Sequence, residues 1–415
     1  MNIIPKWQRK VLSNGLKVLL YPRPSSMTTQ LSAAINYGAN SDPEENAGRA
    51  HFLEHMLAGG SFKRIDLSRQ PEYMGGYIDF CTNPEYTFTT VSVLPNKISE
   101  ASQIMSELLF DSSFEEEKFE IERQIILNEI SEAHDNPIER INQLLRNCLF
   151  KKHPIKRDNT GTRKSVGELS RRKLIEAHNS YYTMANMILI FTGRFSEEKV
   201  DLILDDFDSK GKKEKAPIKQ RFFEKDGIRR KITITKPGVS QTYLSIGART
   251  VPSRHSDAPV MDLISTLLGS GTSSRLFIEV REKQGLAYDI PASHECGSDY
   301  GFFNIDCAVK PRNLTRTVDI VQKEIQKIRT ESVEETELKK GKNIIVGEIL
   351  REVDNPNFLP ATLAECEILF NTENAIVEYL ERINAISSDD IMMVANKYLV
   401  SDMLSTAILC PSQKS

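Results

Sequence analysis

Two segments of this 415-residue chain can be laid over one another, and no other feature restricts its fold as much. Residues 114–137, FEEEKFEIERQIILNEISEAHDNP, pair with 333–356, VEETELKKGKNIIVGEILREVDNP. Both are acidic at the start and helical in period, and both end in Asp-Asn-Pro, where the proline stops or kinks the helix. Asn36-Tyr37-Gly38-Ala39 likewise matches Ser245-Ile246-Gly247-Ala248, and the run from Tyr182 to Ile190 matches that from Tyr398 to Thr406. The pairs occur in the same order at nearly constant offsets, so the chain carries two tandem copies of one domain. Its length also exceeds what a single core ordinarily serves. The first copy is expected at 1–207 and the second at 223–415. The charged run 208–222, which opens Asp208-Ser-Lys-Gly-Lys-Lys, reads as a flexible linker.

Each copy reads as α+β. Lys10 to Leu20 alternates about Asn14-Gly15, a hairpin signal, and Thr29 to Tyr37 makes a further strand. A helix around His51 follows and ends at Gly59-Gly60. Amphipathic patterns then run over about 95–110, 115–135 and 138–150. Strands followed by helices within each half argue for a largely antiparallel sheet with helices on one face.

The chemistry is concentrated in His51-Phe-Leu-Glu54-His55. Histidines four positions apart stand one turn above each other on a helix, where a single metal ion can take both. Glu54 lies beside them, within reach of a water on the same ion, and the order H-x-x-E-H is a zinc-protease signature. Five residues alone also fit an amphipathic helix with two incidental histidines. The repeat supplies a control. With Gly38 opposite Gly247, the residues opposite His51, Glu54 and His55 are Val260, Leu263 and Ile264. Only the first copy can hold the ion.

A catalytic zinc usually takes three protein ligands, so a carboxylate from a second helix is sought. Glu122, Ile125, Ile126 and Glu129 share one stripe at i, i+3, i+4 and i+7. Carboxylates buried among isoleucines need partners, whereas glutamates that only flank such a stripe are solvated. Spacing leaves these two readings level. Glu348, opposite Glu129 in the copy without histidines, adds a third: a glutamate here can serve the fold through a backbone or helix-end bond.

The remaining features exclude more than they assign. A net charge of -3 leaves no footprint for nucleic acid. No apolar run approaches the roughly 20 residues needed to cross a bilayer. The first ten residues, MNIIPKWQRK, hold no apolar signal core, so no membrane association and a cytoplasmic location are expected. The six cysteines are scattered without a C-x-x-C pair and read as reduced, mostly buried residues.

Taken together, these residues resemble the pitrilysin/insulinase metallopeptidases, the inverzincins. Ala50 to Leu57, AHFLEHML, is similar to the family's zinc helix, and Glu122 to Ile130, ERQIILNEI, to its E-R-x-x-x-x-x-E-[IL] helix. His153-Pro and Gly161-Thr162 resemble its H-P-x-x-x-x-x-x-G-T stretch. Gly271 to Tyr288, GTSSRLFIEVREKQGLAY, carries the match into the second half. The resemblance implies zinc as cofactor, held by His51, His55 and Glu129. It implies Glu54 as general base, with Glu122 joining the catalytic set as a carboxylate close to a ligand histidine. Arg281 and Tyr288 are implied to bind substrate and stabilise the transition state, Arg281 ending a helix and Tyr288 beginning the next strand. The chain matches one half of the family's clamshell. A homodimer is therefore implied, in which Arg281 and Tyr288 of each chain complete the partner's site.

The implied activity is zinc-dependent hydrolysis of peptide bonds in unfolded peptides or flexible segments. The alternative is a non-catalytic structural subunit, against which the intact His51, Glu54, His55 and Glu129 argue. One departure stands out. Where the family often has G-x-x-N-A-x-T on the strand that receives the peptide, this chain has Gly76-Tyr-Ile-Asp79-Phe80-Cys81-Thr82. Asp79, Phe80 and Cys81 are candidate substrate-binding residues on an edge that adds a peptide by main-chain bonds.

Overall fold

Asn14-Gly15 turns the chain between Gln8–Val11 (β1) and Lys17–Pro22 (β2), which pair antiparallel. The Asn14 side chain accepts from the Leu16 N–H, and Gly15 takes φ +88°, which a side chain would resist. The computed structural model describes residues 7–61, 66–224 and 229–412. Four more strands complete the first sheet: Thr29–Ile35 (β3), Tyr77–Thr82 (β4), Thr87–Val93 (β5) and Met187–Gly193 (β6). Their order is β1-β2-β6-β3-β5-β4, with β4 at an edge and only β2 and β6 parallel.

The second half repeats this plan with Lys231–Lys236 (β7), Thr242–Arg249 (β8), Ala292–Cys296 (β9), Gly301–Val309 (β10) and Ser405–Pro411 (β11). The order is β7-β11-β8-β10-β9, again with a single parallel pair, β7 and β11. Strand for strand it copies β2-β6-β3-β5-β4, the expected duplication.

The helical patterns also become helices: Arg49–Ala58 carries the histidines, and Ile98–Phe110, Glu116–Asp135 and Pro137–Leu149 follow. Asp-Asn-Pro acts alike in both copies. Asn136 Oδ1 accepts from the Ile138 N–H at 3.0 Å and Asn355 Oδ1 from the Asn357 N–H at 3.0 Å, each turning the chain after a long helix.

The packing units are not the contiguous copies 1–207 and 223–415. One comprises residues 1–131, 158–220 and 351–375, the other 132–157, 221–350 and 376–415. Each copy therefore lends the helix after its Asp-Asn-Pro to the other unit. Pro137–Leu149 packs on β8 and β11, where Ile141, Leu144 and Leu145 meet Phe302, Ala407 and Leu409. The alternate residues Phe303, Ile305 and Ile408 face the core on the sheet's other side. Leu359–Leu369 packs on β6 and β3 in the first unit, where both strands are buried along their whole length. The segment 208–222 is no free linker. The Met184 N–H donates to the Lys212 carbonyl at 2.8 Å, and Lys219 Nζ donates to the Glu85 carbonyl at 2.6 Å.

Candidate metal centre

The helix Arg49–Ala58 enters through Gly48 at φ +90°, where a Cβ would come within 2.4 Å of the Thr160 carbonyl oxygen. Buried Asp42 fixes the entry. Its Oδ2 accepts from the Ala50 N–H at 3.1 Å and its Oδ1 from the Tyr37 hydroxyl at 2.7 Å, an anion at a helix start. Phe52, Leu53, Met56 and Leu57 go into the core, and Phe52 stacks on Phe119 of the second helix at 4.8 Å. That packing leaves His51, Glu54 and His55 half-buried on the other side.

Glu129 comes to meet them. Its Oε2 lies 3.7 Å from His51 Nε2 and 3.6 Å from His55 Nε2. Among the described residues these three side chains form the one group whose ligand atoms fall close enough, within 4.8 Å of one another, to hold a metal ion. The carboxylate–imidazole separations are too long for hydrogen bonds. They are close to the roughly 3.4 Å that separates neighbouring ligands of a tetrahedral zinc with bonds near 2.1 Å. Two imidazoles and a carboxylate are a zinc donor set, so these residues fit the ion.

Around this triangle the electrostatics divide the groups. Glu122 Oε2 is 2.9 Å from His55 Nδ1, and Lys118 Nζ is 2.6 Å from Glu122 Oε1. Both carboxylate oxygens are engaged, as suits a group that orients a ligand histidine and leaves its Nε2 lone pair for metal. Burial opposes ionisation of Glu122, but His55 and Lys118 outweigh it and hold its carboxyl below the usual range. Burial also pulls His55 down, yet the Glu122 bond and the charges of Glu129 and Glu54 leave it raised. His51 has no such support: its Nδ1 is buried without a hydrogen-bond partner among the described residues. Burial, and then the charge of His55, push its pKa down to about 3.

Glu54 Oε2 accepts from the Thr82 hydroxyl at 2.6 Å. Burial raises the Glu54 pKa despite this bond, and the charges of Glu129 and Asp79 add to the rise. A carboxylate lifted in this way, with one oxygen held, is suited to take up and release a proton.

The stripe that raised Glu122 and Glu129 is shifted from its sequence reading. Phe119, Glu122, Ile126 and Ile130 are the buried residues, while Ile125 is 40% exposed and faces solvent. Glu122 is thus buried and Glu129 lies at the stripe's margin. Glu348 serves the fold, taking the Ser270 hydroxyl at 3.3 Å where the helix Ala258–Gly269 ends.

Asp79, Phe80 and Cys81 lie on β4, an edge strand as expected, with Asp79 and Cys81 exposed and Phe80 half-buried. Arg281 sits in the last turn of the π-helical segment Phe277–Glu282. Its guanidinium stacks over the Phe277 ring at 4.6 Å and the Tyr288 ring at 4.5 Å. Tyr288 is 83% exposed and stands in a bend rather than at a strand start, because Pro291 intervenes and β9 begins only at Ala292.

Spacing did not reveal the Thr82–Glu54 bond, although Thr82 is the residue retained in the departing strand motif. The Lys118–Glu122 pair carried a visible signal, lysine and glutamate four apart on a helix.

Known proteins resemble the chain along most of its length. Residues 17–163 match the family described as Insulinase (Peptidase family M16), and residues 168–345 match the Peptidase M16 inactive domain. A protein of Rickettsia felis named as an uncharacterized zinc protease is 27% identical over 404 residues, 97% of each chain. Another so named, YmxG of Bacillus subtilis, is 23% identical over 98% of each. The crystal structure of a protease from Helicobacter pylori superposes with a TM-score of 0.91 at 20% identity, over 98% of this chain and all of that one. The structure from Pseudomonas fluorescens titled peptidase M16 inactive domain gives 0.89 at 19% identity, over 98% of each. At such identities the structural likeness carries the fold alone. No described helix is long and apolar enough to cross a membrane. The duplicated domains, the paired zinc-helix motifs and the profile matches along most of its length make this chain a member of the insulinase, or M16, peptidase family.

Proposed function

We propose that the chain is a zinc-dependent endopeptidase acting on unfolded peptides or flexible protein segments. The observation that carries this reading is the His51–His55–Glu129 triangle with Glu54 beside it, one Glu54 oxygen held by Thr82. His51, His55 and Glu129 would hold the zinc, which when bound would supply Lewis acidity toward water and the peptide carbonyl. Glu54 takes the proton of the attacking water and returns it to the leaving amine. Glu122 keeps His55 in one tautomer and orientation through Nδ1. The edge strand β4 aligns the peptide by main-chain bonds. Arg281 and Tyr288, stacked on each other, stabilise the oxyanion in the reading offered here, and they do so in a homodimer by reaching the partner's site. A cytoplasmic compartment is part of this reading, and the six cysteines, none of them in a disulfide, are compatible with it.

The test uses purified wild type beside Glu54→Gln, a quenched mixed-peptide library and metal analysis of the same samples. About one zinc per chain in both, with cleavage by wild type alone, is the expected result. Zinc without cleavage in either leaves a non-catalytic subunit. Loss of zinc from Glu54→Gln makes Glu54 a structural residue and removes its role as base.

A further inference from the structure

The edge strand carries a feature that bears on which peptides it accepts. The Asn83 N–H donates to the Tyr86 carbonyl at 2.8 Å across the turn between β4 and β5. Hydrogen-bonded residues alternate in an antiparallel ladder, so Cys81 and Asp79 also bond inward, and Thr82 and Phe80 direct their N–H and C=O groups outward. Two of these outward groups already have partners. The Thr82 carbonyl accepts from Asn159 Nδ2 at 3.0 Å, and the Phe80 N–H donates to Asp79 Oδ1 at 3.0 Å. Phe80 itself is held firmly, its ring packed with Met74 and Ile78 against Leu67, Ile104 and Leu108.

An arriving peptide strand needs the Phe80 N–H and must take it from Asp79. The freed carboxylate is exposed, and its field reaches both Glu54 and Cys81. A neutral peptide leaves that carboxylate without the bond it had. A peptide bearing a cation beside the strand gives it a new partner.

We propose that Asp79 is a specificity-determining residue, which caps the edge strand in the free protein and pairs with a lysine or arginine of the substrate close to the scissile bond. The proposal rests on the peptidase reading above and adds the substrate class to it: basic peptides. The charge, and not the cap alone, makes the selection, since asparagine at this position keeps an acceptor oxygen for the Phe80 N–H but offers a cation no negative charge.

The experiment compares wild type, Asp79→Asn and Asp79→Ala on quenched peptides that differ only in lysine, alanine or glutamate at successive positions around one cleavage site. Wild type is expected to favour lysine over alanine at one position, and Asp79→Asn to lose that ratio by roughly fivefold, the scale of a partly exposed ion pair. The ratio is also expected to shrink as salt is raised. Asp79→Ala loses the ratio and in addition lowers KM for the neutral peptide, because the cap is gone. Metal content and melting temperature of each variant show that the fold is kept. Equal handling of lysine and alanine by wild type, or a lysine preference that survives Asp79→Asn, overturns the proposal. If wild type cleaves none of the peptides, the peptidase reading fails separately, and binding of the labelled peptides by anisotropy decides this one. Tighter binding of the lysine peptide by wild type but not by Asp79→Asn upholds it, and equal binding overturns it.

Discussion

Removing the carboxylate of Glu122 is expected to weaken zinc binding without abolishing it. Glu122 Oε2 stands 2.9 Å from His55 Nδ1, so the proton is held on Nδ1 and the Nε2 lone pair stays turned toward Glu129 Oε2, 3.6 Å away. In Glu122→Ala the imidazole loses that restraint and some basicity. Such partners are worth ten- to a hundredfold in metal affinity, or about 1.4–2.7 kcal/mol. The loss stays local, because Lys118, the other partner of Glu122, is 38% exposed at its side chain and can turn to water. Glu122→Gln keeps an acceptor for Nδ1–H but no charge, and is expected to lose less. Glu129→Ala deletes a proposed ligand and is expected to lose more than either. Competition against a chromophoric zinc chelator ranks the four proteins, and melts of the metal-free forms separate affinity from folding. The ranking wild type, Glu122→Gln, Glu122→Ala, Glu129→Ala is the expected one. Zinc affinity of Glu122→Ala equal to wild type would refute the argument, and so would a loss larger than that of Glu129→Ala.

Thr82→Val removes the 2.6 Å bond to Glu54 and is expected to lower kcat by about tenfold with zinc content retained, while Thr82→Ser restores most of the rate; steady-state kinetics of the pair, with metal analysis, decides it. If Arg281 and Tyr288 act across a homodimer, an equal mixture of unfolded and co-refolded Glu54→Gln and Tyr288→Ala chains regains about a quarter of wild-type activity, whereas action within one chain regains none. His178 is buried, with Nε2 2.8 Å from the Leu109 carbonyl, and burial pushes its pKa down to about 4. A folded-state pKa below the unfolded value of about 6.5 means stability is complete above that value and is lost as pH falls toward 4. The loss at pH 5 is about 2 kcal/mol. Urea midpoints at pH 7.5 and 5 should show this slope in wild type and a flatter one in His178→Gln.

Periodicity located the elements well, because each is specified by its own residues. Helices expected over about 95–110, 115–135 and 138–150 run Ile98–Phe110, Glu116–Asp135 and Pro137–Leu149. What escaped the sequence is what depends on distant partners. The Thr82–Glu54 bond joins residues 28 positions apart, on a strand and a helix whose separate patterns say nothing of each other. The exchange of the helices Pro137–Leu149 and Leu359–Leu369 is invisible for the same reason, since an apolar face does not state which sheet it covers. Ile125 was misplaced by a finer cause. Glu122, Ile126 and Ile130 recur every four residues, and so narrow a stripe leaves a position three after Glu122 on its outer flank. Pro291 keeps Tyr288 out of β9, which the motif does not express.

The duplicated copy shows why the proposed chemistry would fall to one half only. At the positions of His51, Glu54 and His55 the helix Ala258–Gly269 carries Val260, Leu263 and Ile264, exposed by 8%, 0% and 0%. These side chains offer an ion no ligand atoms. The polar groups nearest that helix are closed upon themselves. His294 Nδ1 lies 2.6 Å from Asp262 Oδ1 and its Nε2 2.8 Å from the Thr250 hydroxyl, while the Tyr379 hydroxyl donates to Asp262 Oδ2 at 2.7 Å. Both nitrogens of the histidine and both oxygens of the aspartate thus have a partner within the protein. In the first copy the opposite holds. Glu129 Oε2 lies 3.6–3.7 Å from Nε2 of His51 and of His55, too far for hydrogen bonds and near enough to share an ion with them. The same scaffold therefore builds a sealed core in one copy and a cluster that could hold a metal ion in the other, and the difference lies in whether its polar side chains find partners inside the chain.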